Sequence, residues 1–535
     1  MKKVILTLSL AALAGGVWAQ QNKTAMKYAP VINAELAKKH LSILASDEFE
    51  GRETGKPGAE KAANYIAAEF KALGLQPVNG SYFMNVPLIE SSFSVSVFTV
   101  GSMAYTAGKD FSATGSLRHN IAADAMGGDG GVVYSKEILF IGYGIGTDTY
   151  NDLKDVDIAG KVVLYISFGE PMVNGVSKVS GTDKMSKWGT DRATRISFLQ
   201  SKKPALILAV NPASSAVRRG NGARMMIKPE GTAVATAPVY TITPAIANEL
   251  LKPTGKTIAE LKAAIDQNGQ PQTQKVATTI NTTFEAIEKP VKAVNVYGLL
   301  PGTDAKLKHE TLVISSHYDH IGILPEGTPG DRVFNGADDD GSGTTGVLSI
   351  ARAYSQAAKA GKGPRRSILF LTVVGEEKGL LGSEYYSQHP AIAVENTIAD
   401  LNIDMIGRVG EEYAGKADSA NTVYVIGSAM LSTDLRKVSE NANNTYIKMN
   451  LDYKYDDPND KNQFYYRSDH YNFAKLGIPI AFYFNGVHKD YHGLGDDITK
   501  INFPLLAKRA QLVYYTAWDL ANADKRPVVD GKNTR

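Results

Sequence analysis

The sequence predicts an α/β protein, with a mostly parallel central sheet flanked by helices and a separate β-rich region inserted ahead of its main part. Three observations carry this reading. Residues 31–76 follow a helical apolar period; from about 85 to 285 short alternating strands are separated by glycine-rich turns; after "AVNVYGLLPG" apolar runs alternate with helical segments. The last pattern marks parallel strands joined by crossover helices. With 535 residues, 43% hydrophobic and 21% charged, the composition is that of an ordinary globular chain of roughly two to four domains.

The first segment, "MKKVILTLSLAALAGGVWA" at 1–19, joins Lys2 and Lys3 to an apolar run from Val4 to Leu13 and ends on the small Ala19. That is the layout of a cleaved signal peptide, so the protein is expected to be exported, either periplasmic or secreted. As a membrane anchor the run is too short, since a bilayer requires ~20 apolar residues, and Thr7, Ser9 and two glycines interrupt it. No integral membrane span is expected after its removal. Loss of Lys2 and Lys3 lowers the formal charge from +3 to +1, which leaves no electrostatic reason to expect a nucleic-acid partner. The chain has no cysteine, so disulfides are excluded and any metal site must be built from His, Asp and Glu.

Residues 20–88 are expected to form the N-terminal part of the main domain. There "AEKAANYIAAEFKALGL" sets Ala59, Ala62, Ala63, Ile66, Phe70 and Leu73 along one stripe, with Gly74 as a stop, after the polar loop "SDEFEGRETGKPG". Residues 89–288 read as the β-rich insert, with strands such as "FSVSVFTV" and "KVVLYISF" and one helical piece near 191–202. Residues 289–525 carry the main α/β region, and 526–535 a tail.

In the main region four buried-looking strands run into polar residues: "TLVISS" into His317, "SILFLTVV" into Gly375, Glu376 and Glu377, "TIADLNI" into Asp404, and "IPIAFYF" into the loop with His492. Between the first two, "FNGADDDGSG" places Asp338, Asp339 and Asp340 together just ahead of a helix. Ligands bind beyond the carboxyl ends of strands in open α/β sheets, so these side chains can converge. Singly, each has a plain reading. The aspartates could form a solvated turn, the glutamates a helix start favoured by the dipole, and His317 a strand-end histidine. A calcium loop fails, because the twelfth position counted from Asp338 is Ser349 where a bidentate Glu is needed. His488 and His492 have H-x-x-x-H spacing, but Lys489 stands where the helical zinc motif has glutamate, and neighbouring glycines argue for a loop. Together, two imidazoles and several carboxylates are the ligand types that suit zinc. Two cations sharing one carboxylate would relieve the repulsion of three adjacent aspartates.

The ordered set H-x-D, DDD-GSG, GEE, IDM and Y-H-x-x-G-D resembles the co-catalytic di-zinc aminopeptidases of metallopeptidase family twenty-eight, which also holds glutamate carboxypeptidase-like enzymes and glutaminyl cyclases. "LASDEFEGRETGKPGAEKAANYIAAEF" is similar to that family's N-terminal segment. "FIGYGI", "YNDLKDVDIAGKVVLY" and "GEP" are similar to its protease-associated domain, here about 130–245. The resemblance implies the zinc aminopeptidase fold with an inserted β-rich protease-associated domain, which would act as a lid or substrate-access module. It implies two zinc ions, with Asp339 bridging, His317 and Asp404 on one ion, and Glu377 and His492 on the other. It makes Glu376 the general base toward a zinc-bridging hydroxide. Asp319 would hold the second ring nitrogen of His317, Tyr491 would donate to the oxyanion, and the Asp339–Asp340 peptide would be cis. His320 and His470 are read as supporting neighbours, and Asp496 or Asp497 as orienting His492, with Asp496 fitting the family spacing better.

The implied substrates are peptides with a free N-terminus, hydrolysed at the first peptide bond. Two alternatives stay open: a carboxypeptidase or dipeptidase of the same fold, and a catalytically silent peptide-binding relative. Glutaminyl cyclases use one zinc and fit less well. Oligomeric state is not legible in the sequence.

Overall fold

The computed structural model describes residues 21–118, 131–217, 222–231 and 234–531; the expected signal segment 1–19 lies outside them. The chain divides into two compact units, Met1–Val86 with Lys292–Arg535, and Pro87–Val291. Among the described residues no helix is long and apolar enough to cross a membrane.

In the first unit β1 (Phe83–Asn85), β2 (Val294–Leu300), β3 (Thr311–His317), β4 (Ser367–Val373), β5 (Thr397–Ile403), β6 (Thr422–Ile426), β7 (Asn450–Asp452) and β8 (Ile480–Phe484) form one sheet. Its order is β1-β2-β4-β3-β5-β8-β6-β7. Strands β4, β3, β5 and β8 run parallel, while β2 and β6 pair antiparallel with β4 and β8. Every residue of the four parallel strands is buried, which is why they read as continuous apolar runs. The chain passes from β3 outward to β4 and then returns to β5 on the other side of β3. That reversal opens a crevice beyond the carboxyl ends of β3 and β5.

Helices α1 (Ala34–Leu44), α2 (Pro57–Leu73), α3 (Gly341–Lys359), α4 (Leu381–Gln388), α5 (Thr433–Ala442) and α6 (Phe503–Asn522) belong to the same unit. Helix α2 starts on Pro57 and closes on Gly74 at φ 82°, the usual asymmetry of proline at the start and glycine past the end. All six residues of its predicted stripe are buried. Phe70 meets Phe370 of β4 with ring centroids 6.3 Å apart, and burying a side chain of that size contributes about 2–3 kcal/mol. Helix α3 begins directly on the triple aspartate, with the Asp340 carboxylate accepting from the Gly343 N–H at 2.9 Å. Gly343 has no room for a side chain: a Cβ there would lie 2.3 Å from Asp340 Oδ1 and 2.5 Å from the Ile403 carbonyl oxygen. The helix start is thereby drawn against the end of β5.

The second unit contains two main sheets. Leu88–Val100 and Ile280–Val291 form a long antiparallel ribbon, flanked by Arg224–Ile227 and Gly131–Ser135. In the other sheet Ile138–Phe140, Val162–Ile166, Leu206–Val210 and Val239–Ile242 run parallel, with antiparallel edges at Gln274–Val276 and Phe111–Thr114. Phe98, Phe111, Phe140, Leu164, Leu208 and Tyr240 pack in one core. The expected helical piece is Arg192–Ser201, but the region holds more helix than the alternation predicts. Pro244–Leu251 and Ile258–Asn268 are both helical. Their starts were written in the sequence as Thr-Pro at 243–244 and as Thr257 with Glu260, which form a capping box.

Beneath the crevice lies a buried polar chain. The Asp400 carboxyl and the Ser315 hydroxyl are 2.7 Å apart, and the same hydroxyl reaches Asn402 Oδ1 at 3.0 Å. One hydroxyl proton cannot serve both acceptors, so a protonated Asp400 that donates to Ser315 completes the chain. Burial pushes the Asp400 carboxyl up to about 8. A raised folded-state pKa stabilises the fold fully below the ordinary carboxyl range. That stabilisation is lost as pH rises toward about 8. Asp400→Asn should therefore flatten the decline of melting temperature between about pH 4 and 8; a variant as pH-sensitive as wild type would contradict this. A second prediction concerns Gly382 of α4, where a Cβ would lie 2.2 Å from the Val374 carbonyl oxygen and 2.5 Å from Asn295 Oδ1. Gly382→Ala should lower the melting temperature measurably, by about 1–3 kcal/mol of overpacking, because the strand end carrying Glu376 must move.

Candidate metal centre

Asp339 occupies the middle of the crevice. Its Oδ1 is 3.4 Å from His317 Nε2, and its Oδ2 is 3.1 Å from His492 Nε2. His317, the last residue of β3, also stands 3.7 Å from Asp404 Oδ2 and 3.9 Å from Glu376 Oε2. His492 reaches Glu377 Oε2 at 3.2 Å. The structure thus brings His317, Glu376, Glu377, Asp404 and His492 from four strand ends to Asp339 at the start of α3, and Asp339 faces both halves of the cluster. Ligand atoms of His320, Asp339 and Glu377 lie within 4.8 Å of one another, as do those of His317, Asp340 and Asp404. Two such groups of imidazole and carboxylate fit divalent cations such as zinc.

The outer two aspartates have other work. Asp340 accepts from the backbone N–H groups of His317 at 3.2 Å, Gly343 at 2.9 Å and Met405 at 3.0 Å. It ties β3, α3 and the end of β5 together, two of these bonds falling on Oδ1 and one on Oδ2. Asp338 accepts from Gly407 N–H at 2.7 Å and the Ser342 hydroxyl at 3.0 Å, and stands 3.2 Å from His488 Nε2. The peptide between Asp339 and Asp340 is cis.

Charge explains the proton affinities. Burial pushes the Glu376 carboxyl well above its ordinary range; Glu377, Asp404 and Asp469 add to this, and His317 opposes it. Asp339 is held well below the carboxyl range in spite of burial, by hydrogen bonds from His317 and His492. Burial disfavours protonated His492, yet hydrogen bonds to Asp339 and Glu377 push it up to about 10. His317 rises well above its usual value against the same penalty, through the charges of Glu376 and Asp404. The imidazoles take up protons because the buried carboxylates demand positive charge.

Several supporting roles differ from expectation. Asp319 turns its carbonyl oxygen to His317 Nδ1 at 3.1 Å, while its carboxylate stands 3.7 Å away. That carboxylate instead accepts from the Thr54 hydroxyl at 2.7 Å and the Glu376 N–H at 3.2 Å, so it fixes the base-bearing loop. His320 is more than a neighbour, with Nδ1 2.9 Å from Glu377 Oε1. His470 supports the fold, reaching the Tyr465 carbonyl at 2.8 Å and stacking on Phe482. Asp496 does not orient His492; it accepts from the N–H groups of Asp338 and Asp339 at 3.0–3.1 Å. Tyr491 stacks on His492 with ring centroids 3.9 Å apart.

Arg52 escaped sequence reasoning altogether. Its buried guanidinium donates to the carbonyls of Leu44, Tyr318, Asn335 and Gly336 at 2.6–2.8 Å. It thereby ties the end of α1 to the residue after His317 and to the approach to Asp338. A single arginine in the polar loop 46–58 has no spacing that reveals this.

Comparison with known proteins agrees with the geometry. The model of peptidase family M28 matches residues 295–517, which contain every member of the centre. Leucine aminopeptidase 1 of Ajellomyces capsulatus is 28% identical over 248 residues, covering 45% of this chain and 59% of that protein. A probable leucine aminopeptidase of Arthroderma otae is 32% identical over 246 residues, covering 45% and 61%. The chain thus spans about three-fifths of the length of these relatives. An aminopeptidase from Aneurinibacillus sp. strain AM-1 shares the fold at 18% identity, with a TM-score of 0.52 over 95% of this chain and 98% of that one. The match to peptidase family M28 lies within the α/β unit.

Proposed function

We propose that the chain is an exported aminopeptidase that uses two zinc ions to hydrolyse the N-terminal peptide bond of peptides. The observation that carries this reading is the position of Asp339, with His317 3.4 Å from one oxygen and His492 3.1 Å from the other. In this reading His317 and Asp404 hold one ion, Glu377 and His492 the other, and Asp339 both. The bound pair would acidify a shared water and polarise the scissile carbonyl. The names of the similar proteins and the family match support the exopeptidase activity, and the first nineteen residues support export. Residues within Pro87–Val291 are read as a protease-associated domain on sequence resemblance.

The chain's own groups then divide the work. Glu376 is nearly buried beside Asp404 and Glu377, an environment that favours holding a proton. It takes the proton of the attacking water and returns it to the leaving amine. Asp319 keeps that carboxylate in place through the Glu376 N–H. The acidic side chains around Asp339 also suit the positive charge of a free N-terminus. Tyr491 lines the cavity with Asp339, Glu376 and Asp404 and donates its hydroxyl proton to the developing oxyanion.

The test is turnover of a short peptide with a free N-terminus against its N-acetylated twin, in metal-stripped protein and after zinc is restored. Zinc-dependent cleavage of the free peptide alone is expected. Cleavage indifferent to acetylation would move the reading to a carboxypeptidase, and absence of cleavage would refute catalysis. Glu376→Gln should lower kcat by about 10²–10⁴ while zinc content stays unchanged; a variant that retains most of its kcat would remove Glu376 from this role.

A further inference from the structure

Two cavities meet beside the metal centre. The inner one, lined by Asp339, Glu376, Asp404 and a set of apolar side chains, is ≈ 30 Å³. That is room for a water or two, not for a side chain. The outer one is ≈ 320 Å³. Phe464, Arg467, Val487 and Tyr491 line both, so anything that extends from the centre toward the larger space passes Arg467.

Arg467 is exposed, and among the described residues no carboxylate forms an ion pair with it. Its guanidinium lies over the Phe464 ring, 4.9 Å from the centroid, and its Nη2 donates to the Tyr491 hydroxyl at 3.4 Å. These contacts fix the planar group without neutralising it. Nor is it needed as a counter-charge for the acidic cluster. Asp339, Glu376 and Asp404 all have His317 within 4 Å, and bound cations would neutralise them further. Of the two acids that line the outer cavity, Glu411 and Glu412, the second is paired with Lys454 and accepts from the Tyr424 hydroxyl. A guanidinium held against Phe464 and Tyr491, lining both cavities and unpaired among the described residues, is a recognition group for an anion, and its fork matches a carboxylate.

We propose that Arg467 is a specificity residue that binds a carboxylate of the substrate. The inference rests on the aminopeptidase reading and deepens it: the chain selects peptides that present a carboxylate close to the N-terminal peptide bond. Two sources share this chemistry. One is the side chain of an N-terminal Asp or Glu, the other the C-terminal carboxylate of a dipeptide.

The experiment compares kcat/KM in two matched pairs, using the zinc-loaded full chain. The first pair is the p-nitroanilides of Glu and Gln, which differ in the side-chain carboxylate and lack a C-terminal one. The second is Ala-Ala and Ala-Ala-amide, which differ only in the C-terminal carboxylate. Arg467→Met and Arg467→Lys are measured beside wild type. At least one pair should show a preference of about tenfold or more for the carboxylate, the size expected of a charge-assisted hydrogen bond. That ratio should fall to near one in Arg467→Met and recover in part in Arg467→Lys. The responding pair identifies the source. A ratio near one in both pairs, or a preference that survives in Arg467→Met, overturns the proposal. If none of the peptides is cleaved, the proposed reaction fails separately. The same pairs are then compared by calorimetric binding, where an Arg467-dependent carboxylate preference supports the inference and its absence overturns it.

Discussion

The structure depends on one electrostatic constraint, a carboxylate that is buried between two histidines and surrounded by further carboxyl groups. Asp339 has Asp338 and Asp340 as sequence neighbours and Glu376, Glu377 and Asp404 converging on it. A buried charge costs several kcal/mol unless paired. Against the penalty of burial, the carboxylates around His492 push it up to about 10, the direction expected where neighbouring negative charge favours a cation. Divalent cations meet that demand without depending on pH in the neutral range.

The rest of the α/β unit is arranged to maintain this concentration of charge. Asp340 spends its oxygens on three backbone N–H groups, and Asp338 on the Gly407 N–H, the Ser342 hydroxyl and His488. Arg52 gathers carbonyls from the residue after β3 and from the approach to Asp338. Asp319 links Thr54 to the Glu376 backbone. Parallel strands supply the frame, because each delivers one polar residue to the same edge while staying buried along its whole length.

Much of this was legible in the sequence, for a physical reason. Buried parallel strands read as apolar runs, so a polar residue at their ends stands out, and His317, Glu376, Glu377 and Asp404 were found that way. His492 was marked by the loop that follows the fourth strand, but Asp339 needed the resemblance to a known family, since a triple aspartate does not say which member faces the cation. Residues that act through backbone groups were not legible. Arg52 and Asp496 bind carbonyls and N–H groups whose positions depend on folding. His320 was discounted because adjacency to a motif does not tell which way a ring turns. In Pro87–Val291 two helices were hidden because strand alternation dominated the window, although Thr243 and Thr257 carried capping signals.

The claim that one carboxylate serves two cations is tested most directly by zinc stoichiometry, measured by equilibrium dialysis of the full chain and of Asp339→Asn. Two ions per chain in wild type, with both affinities weakened together in the variant, is the predicted result. A single bound ion in wild type, or a variant that loses one ion and keeps the other at full affinity, would contradict it.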